Sequence, residues 1–442
     1  MHIPEYVNEL LLRLEQNGYA AYVVGGCVRD FFLGRVPEDY DITTNALPGE
    51  IKKCFEDKKT INIGEAHGTI AVVSDGKVVE ITTMRVDGEY EDKRHPQSVS
   101  FTRSIQEDLS RRDFTVNAIA VSGTGKVVDI FGGMDDIKNK VVRAVGNPHK
   151  RFEEDALRIM RCIRFASVLG FTIEAETSDA ARSLAHTLKN VSRERVFTEI
   201  SKLICGENAG EILLKYSDIL CSVIPELKSM IGFDQHNIHH AFDVYTHSVH
   251  AVENCPQDLP LRLAALFHDI GKPDCFFIGE DGQGHFYGHA AKSAELAEGI
   301  LKSLKVSNNL RSLVTELIKI HDRDIVNSAK ALRKLWNNIS PEAAERIFSL
   351  KIADTLALAP EYHNRTEYLT ETQKAFEEIK SATPKISENT LALSGRDLME
   401  LGITKGKEIG KIKKLLAEAV VNGETENKKE ELLSFFKKIG GI

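Results

Sequence analysis

The sequence predicts an α+β protein with a mixed α/β head over roughly the first third and an all-helical remainder. Two observations lead there. Short β-rich runs, AYVV, TIAVVS, KVVEITTMR, FTVNAIAVS and KVVDIF, are bounded by Gly, Asp or Asn turn chemistry and stop before Gly146-Asn147-Pro148. From FEEDALRIMRCIRFASVLG onward, apolar residues recur at helical spacing to the end of the chain. A length of 442 residues, at roughly 150 per domain, leaves room for about three domains. The expected organisation is a head over 1–146, a helical neck over 147–215, a helical body over 216–380 and a helical tail over 381–442. The polar stretch SATPKISENT leads into that tail.

Composition removes several classes. With 42% hydrophobic and 28% charged residues the chain matches an ordinary globular protein, which excludes disordered and collagen-like chains. No run of 18 or more uncharged apolar residues is present, and the opening MHIPEYVNELLLRLEQNGY carries acidic residues where a signal peptide needs basic ones. No membrane partner and a cytoplasmic location are therefore expected; oligomeric state is not legible. Seven cysteines (27, 54, 162, 205, 221, 255, 275) contain no CxxC pair, which argues against a zinc ribbon or a disulfide framework. A net charge of -8 means that a polyanionic partner must meet a local patch. One runs from Lys138 to Arg164, where eight basic residues (138, 140, 143, 150, 151, 158, 161, 164) face three acidic ones (153, 154, 155). A second runs from Leu401 to the end, with nine Lys and six Glu.

Taken in order, VNELLLRLEQNGY reads as an amphipathic helix stopped at Gly18, followed by the strand AYVV. Gly25 and Gly26 then sit where a strand turns into a helix, so bare backbone amides can approach a phosphate. Arg29, on the first turns of that helix, can reach the same phosphate oxygens in bidentate fashion. In EDYDITT, extended backbone sends residues i and i+2 to one face, so Asp39 and Asp41 point together. Two like charges side by side call for a cation. Hard oxygen ligands suit Mg²⁺, and a two-ion site, with its ions about 3.5–4 Å apart, activates an attacking hydroxyl and stabilises a leaving pyrophosphate. Glu80 in KVVEITT is either a third carboxylate of that site or an outward-facing strand residue. In RRDFTVNA, Arg112 can neutralise triphosphate charge while Asp113 fixes the local turn. On a helix beginning near Arg151, the three-residue spacing of Asp155, Arg158, Arg161 and Arg164 puts the first two on one face. A carboxylate accepting from an exocyclic amino group, beside a guanidinium donating to a ring nitrogen, takes C and A and rejects U and G; the same pair is also an ordinary helix-surface ion pair.

Taken together, GGCVRD (25–30), DYD (39–41), MRVDGEYEDKRHP (84–96), RRDFTVNA (111–118), DIFGG (129–133), EEDALRIMR (153–161) and SRERVFTE (192–199) resemble the class II tRNA nucleotidyltransferases, the CCA-adding enzymes, over about 200 residues. The resemblance implies a polymerase-β-like nucleotidyltransferase head followed by neck, body and tail. It further implies template-independent addition of CCA to the tRNA 3′ end from CTP and ATP. Asp39 and Asp41 would then be catalytic and bind Mg²⁺; Gly26, Arg29 and Arg112 would hold the nucleotide; and Asp155, Arg158, Arg161 and Arg164 would contact the incoming CTP or ATP. Bacterial poly(A) polymerases share the head motifs, so poly(A) synthesis and A-only addition stay open. The 84–96 loop resembles the element needed to switch from C to A.

The helical half carries YTHSVH, LAALFHDIGKP and KIADTLA. These resemble the HD metal-dependent phosphohydrolases. His247, His268, Asp269 and Asp354 would ligate a second divalent transition metal, with His289, His321 and Asp322 as further candidates; His236, His239, His240 and His250 read as helix-face or core residues. The implied chemistry is phosphodiester or phosphomonoester hydrolysis at nucleotide 2′,3′-cyclic or 2′-phosphates. An HD hydrolase with an RNA-binding head is the alternative of a different class. A P-loop NTPase is unsupported, because no GxxxxGK[ST] occurs.

Overall fold

The first helix, α1 (Glu5–Gln16), buries Val7, Leu10, Leu11 and Leu14, the i, i+3, i+4, i+7 stripe, and ends at Asn17 before Gly18 turns to φ 85°. This computed structural model describes residues 3–88, 99–237, 241–403 and 405–439. It divides into two units, Met1–Pro225 and Glu226–Ile442.

In the first unit the strands are β1 (Ala21–Val24), β2 (Asp41–Thr44), β3 (Thr60–Gly64), β4 (Thr69–Ser74), β5 (Lys77–Thr83), β6 (Arg85–Asp87), β7 (Val99–Phe101), β8 (Ile119–Ser122), β9 (Val127–Asp129) and a short parallel pair, β10 (Val141–Val142) with β11 (Thr172–Ile173). Seven form one mixed sheet in the order β3-β4-β5-β2-β1-β8-β9, and β6 pairs with β7 separately. Within the seven-stranded sheet only β2 and β5 run parallel, joined by a crossover through α3 (Pro48–Cys54), β3 and β4. Val23, Ile42, Ile70, Val72 and Ile81 are fully buried in it. Helix α2 (Gly26–Phe32) follows β1 directly through Gly25 at φ 82°, a backbone conformation that a residue with a Cβ adopts only under strain. Helices α4 (Ile105–Ser110) and α5 (Gly133–Asn139) complete the head.

The sequence expectation differs from the structure in two places here. FTVNAIAVS is not strand throughout: Thr115–Asn117 form a 3₁₀ turn and β8 starts at Ile119. Asp113 accepts from the Phe114 amide (2.9 Å) and from Asn117 Nδ2 (3.2 Å), local bonds that outcompete a ladder. Strand β3, with Ile61 and Ile63 exposed on an edge, gave no comparable signal.

The neck holds α6 (Pro148–Glu154), α7 (Leu157–Leu169), α8 (Ala175–Leu184), α9 (Arg193–Ile204) and α10 (Ala209–Lys215), and, against the all-helical expectation, the strand Thr172–Ile173, paired with Val141–Val142. Asn147 caps α6 by accepting from Lys150 N, and Pro148 opens it. The helix expected from Arg151 onward is two helices. Asp155 leaves the helical region (φ -140°, ψ 105°), and its Oδ1 accepts from Leu157 N at 3.0 Å, which closes one helix and opens the next. Helix α7 packs on α9 through buried Ile159, Ile163, Val196, Ile200 and Leu203.

Among the described residues the second unit is helical apart from a small antiparallel hairpin, Phe277–Ile278 with Gly284–His285. Helices Val244–Asn254, Leu259–Phe267, Asn308–His321 and Ile347–Leu356 pack together. The last helices gather a separate core around Leu393, Leu398, Leu416, Leu432 and Phe436. No helix of the described residues is long and apolar enough to cross a membrane, and all seven cysteines are free thiols.

Candidate active site and a second histidine cluster

Three backbone decisions bring the head's polar groups together. Tyr40 is buried against Tyr6 (ring centroids 6.2 Å apart), while Asp39 and Asp41 on either side of it are exposed, the alternation expected of extended chain. The parallel register pairs Asp41 with Glu80, which puts both on one face of the sheet. The turn at Gly25 brings α2 so close that a Cβ there would lie 3.3 Å from Arg112 Nη1 and 3.6 Å from Asp41 Oδ2. Partial desolvation in this cleft, then Glu80, pushes the Asp41 pKa above the ordinary carboxylate value; Asp39 adds to the rise, and Arg112 opposes it. Asp41 is thus the centre of a concentrated negative charge that the protein alone only partly offsets.

The cations around it are aimed by partners. Arg29 donates to Asn117 Oδ1 (2.7 Å) and to Asp30 Oδ1 through Nε (2.9 Å) and Nη2 (2.8 Å). Arg112 pairs with Asp108 at 3.5 Å. Asp108 itself is fully buried and also accepts from Thr43 Oγ1 of β2 (3.2 Å) and from Arg111 (2.8 and 3.0 Å). Burial disfavours its charge, yet Arg111 and Arg112 hold its pKa below the usual range. Sequence reading passed over Asp108, although its i+3 and i+4 spacing to two arginines in EDLSRRD was a legible signal.

In the neck, the arginine series divides. Asp155 and Arg158 are not an ion pair: the helix break separates them, Asp155 Oδ2 accepts from Arg195 of α9 (3.0 Å), and Arg158 Nη1 donates to Glu154 Oε2 (2.8 Å). Arg158 also donates to the carbonyls of Arg151 (3.2 Å) and Arg111 (3.0 Å), which ties the neck to the RRD segment. Arg161 grips Asp113 at 2.7 Å, and Arg164 meets Glu199 at 2.7 Å. Burial opposes charge on Asp113, but Arg161 lowers its pKa to about 2. Arg29, Arg161 and Arg164 all lie over the Phe165 ring, at 5.2, 5.3 and 3.9 Å from its centroid. Of the basic patch, Lys138, Lys140, Arg143 and Lys150 are exposed, Arg143 while paired with Asp136 (3.2 Å) and Glu174 (3.6 Å), and Arg151, Arg158, Arg161 and Arg164 are tucked against acidic partners. Arg195, Glu199 and Asn117 were missed as partners, because they are distant in sequence and only the fold joins them. Most of the 84–96 loop, residues 89–96, lies outside the described residues, as do His239 and His240.

In the second unit a buried cluster forms. His247 Nε2 lies 2.9 Å from Asp354 Oδ1 and 3.3 Å from His268 Nε2, and His268 Nε2 lies 3.2 Å from Asp269 Oδ2. The other oxygen of Asp269 faces His289 Nε2 at 3.4 Å and His321 Nε2 at 3.8 Å. Each imidazole points Nε2 inward because its Nδ1 is bonded to a backbone carbonyl: Ala357 for His247, Ala265 for His268, Phe286 for His289 and Ile318 for His321. His247, His268 and Asp354, and likewise His268, Asp269 and His321, present atoms close enough together to hold a metal ion. Desolvation works against the His268 charge, but Asp269 and Asp354 raise its pKa to about 10; both carboxyls are held well below their usual range despite burial. A cavity of about 450 Å³, lined among others by Lys272, His289, His321, Asp322, Asp354 and Arg365, opens beside the cluster. His236 and His250 lie apart from it, His250 pairing with Glu253 at 2.8 Å.

Comparison with known proteins follows this geometry. The "Poly A polymerase head domain" family matches residues 21–143, the "Probable RNA and SrmB- binding site of polymerase A" family matches 170–231, and "tRNA nucleotidyltransferase domain 2 putative" matches 287–436. The CCA-adding enzyme of Enterococcus faecalis is 34% identical over 438 residues, 97% of this chain and 94% of that one. That of Bacillus velezensis is 34% identical over 432 residues, 97% of each chain. The crystal structure of the Bacillus stearothermophilus CCA-adding enzyme in complex with CTP superimposes with a TM-score of 0.76 at 30% identity, covering 100% of this chain and 98% of that one. With end-to-end similarity in both sequence and fold, the chain belongs to the CCA-adding enzyme family.

Proposed function

We propose that this protein adds CCA to the 3′ end of tRNA from CTP and ATP, releasing pyrophosphate, without a nucleic-acid template. The observation that carries the reading is the meeting of Asp41, Glu80, Gly25 and Arg112 at one end of the sheet. Asp39, Asp41 and Glu80 supply carboxylate oxygens and leave solvent access on one side, a donor set that fits Mg²⁺. Such ions, when bound, supply Lewis-acid stabilisation of the transferring phosphoryl group. The rest falls to the chain's own residues. The bare Gly25-Gly26 turn admits the triphosphate, while Arg112, steadied by Asp108, and Arg29, steadied by Asp30 and Asn117, offset its charge. Asp155 and Arg158, set by Arg195 and Glu154, present an acceptor and a donor to the incoming base. Carboxylate oxygens retain free lone pairs after one bond each, so Asp155 can still accept from an exocyclic amino group. Arg161 and Arg164, held by Asp113, Glu199 and Phe165, complete the surface that contacts the incoming CTP or ATP. The exposed Lys138, Lys140, Arg143 and Lys150 offer sequence-independent contacts to RNA phosphates, and the protein is read as acting in the cytoplasm.

Three tRNA transcripts test the reading, ending before the first C, before the second C and before the A, with CTP or ATP supplied singly. CCA addition predicts CTP use on the first two and ATP use on the third. ATP use on all three would instead mark a poly(A) polymerase, and ATP use on the third with no CTP use on the first two an A-adding enzyme.

The second unit favours a second activity, because its imidazoles are preset by backbone carbonyls around two carboxylates, a donor set that fits a divalent transition ion. His247, His268, Asp269 and Asp354, with His289 and His321, would hold it, and the reading is hydrolysis of nucleotide 2′,3′-cyclic or 2′-phosphates at damaged RNA ends. Metal-stimulated hydrolysis that survives His268→Ala would remove this reading.

A further inference from the structure

The cavity beside the histidine cluster is not lined by the cluster alone. Asn364 and Arg365, at the start of the helix Arg365–Ala382, line it as well. So do Leu358 and Tyr362, from the segment that joins this helix to Ile347–Leu356, the helix that carries Asp354. The chain thus leaves a cluster carboxylate and, within a dozen residues, returns a cation to the same space. At about 450 Å³ the cavity falls within the roughly 300–1,000 Å³ usual for a small-molecule site, so one ligand can touch both the cluster and Arg365.

The two permanently cationic side chains that line this cavity are held differently. Lys272 is buried, donates to Gln235 Oε1 (2.8 Å) and meets Asp269 Oδ2 at 2.7 Å, so its charge is matched inside the cluster. Arg365 is exposed and pairs at 2.8 Å with Asp324, whose side chain is 85% exposed. Exposed pairs of this kind contribute little, and a guanidinium has five N–H donors in a fixed fork. Arg365 can therefore serve a ligand in the cavity at small cost to the fold.

The charge of the cavity asks for such a group. Asp269 and Asp354 face histidine nitrogens, but Asp322 lines the cavity too, and an anion entering it is repelled unless a cation offsets that charge. Asn364, the residue before the helix, does not cap it with its side chain. Its exposed amide stands next to Arg365 as a further donor.

We propose that Arg365, with Asn364 beside it, binds the phosphate group of the ester that enters this cavity. The proposal deepens, and rests on, the reading of the cluster as a phosphoester hydrolase. The guanidinium fork matches two phosphoryl oxygens at once, which a point charge does not. The substrate class is a nucleoside 2′,3′-cyclic or 2′-phosphate, recognised here by its anionic oxygens.

The test pairs steady-state hydrolysis of 2′,3′-cyclic AMP by the full chain with calorimetric titration of inorganic phosphate into the Mn²⁺-loaded protein. Arg365→Ala should raise KM and weaken phosphate binding, each by about tenfold or more, the loss expected for a charge-assisted hydrogen bond. The contact is made to bound substrate and transition state alike, so kcat should stay nearly unchanged. Arg365→Lys should recover only part of the loss. Asp324→Ala removes the ion pair but leaves the cation, and its KM should not rise. Bound metal, read by mass spectrometry, and nucleotide incorporation should match the parent in all three variants, which reports an intact fold. A KM raised as far in Asp324→Ala as in Arg365→Ala would overturn the proposal and make Arg365 a structural brace. Parent-like KM and phosphate affinity in Arg365→Ala would also overturn it, with the hydrolase reading left in place. If phosphate binding falls in Arg365→Ala while hydrolysis is unchanged in His268→Ala, the phosphate site stands and the hydrolase reading falls.

Discussion

The head and the histidine cluster are two ways of gathering charge. In the head, exposed carboxylates at strand ends stand beside arginines fixed by buried partners, and the Asp41 pKa is pushed up by desolvation and by Glu80. In the second unit, the imidazoles and Asp269 are buried and Asp354 half-buried, charges neutralise one another, and every inward histidine is tied at Nδ1 to a main-chain carbonyl. The first arrangement suits hard ions that come and go with a triphosphate, because few ligands are committed and one side stays open. The second suits a resident ion with nitrogen ligands, because orientation is fixed in advance by the backbone. Ligand exposure and second partners, rather than carboxylate count, separate the two.

The sharpest way to break this contrast is Asp41→Ala. Loss of metal-assisted stabilisation of several kcal/mol should lower incorporation of both C and A by about a thousandfold or more in single-turnover assays, with tRNA retention on filters and cluster-dependent hydrolysis unchanged. The reciprocal variant, His268→Ala, should reduce metal-stimulated hydrolysis of a 2′,3′-cyclic nucleotide by on the order of a hundredfold, given the 10- to 100-fold cost of even outer-shell losses at such sites, while incorporation persists. Loss of both activities in either variant would mean that the two sites are not independent. Arg158→Ala should blur the preference for CTP and ATP over UTP and GTP by about tenfold or more, the usual worth of a base-edge pair being roughly 1–3 kcal/mol, with RNA affinity nearly kept. Unaltered base choice would remove Arg158 from that role.

The smallest expected effect is on stability. Asp113 has its pKa lowered from 3.8 to about 2, chiefly by Arg161 acting against burial. A depressed carboxylate contributes stability that is fully present above its unfolded pKa, near 4, and that is lost as pH falls through the folded value. The shift corresponds to about 2 kcal/mol. Asp113→Asn should therefore lower unfolding stability at pH 7 by about that amount and flatten the acid limb between about pH 4 and pH 2, read by urea titration at several pH values. An unchanged acid limb would show that the pair adds nothing to folding.

Much of this was legible because the head's signals are local. Gly25-Gly26, Asp39 and Asp41 each lie at or beside a strand end that β-rich composition marks, Arg112 just past the end of α4, and alternation about Tyr40 is a two-residue rule. TIAVVS became β4 residue for residue. What escaped depends on long-range pairing. The even choice for Glu80 needed the β2–β5 register; Arg195 and Glu199 needed the packing of α9 on α7; and the break at Asp155 hid inside a strongly helical pattern, because an aspartate carboxylate bonding two residues ahead leaves no trace in apolar spacing. In the second unit, HDIGKP announced a site, but His247 and Asp354, 107 residues apart, were brought together only by the packing of Val244–Asn254 against Ile347–Leu356.

The central claim is that Asp39 and Asp41 hold divalent ions beside the Gly25-Gly26 turn. A Mn²⁺ titration followed by electron paramagnetic resonance, in a His268→Ala background with CTP present, measures this directly. The account predicts tight ions in that background and their loss when Asp39→Asn and Asp41→Asn are added together. Undiminished Mn²⁺ binding in the combined variant would contradict it.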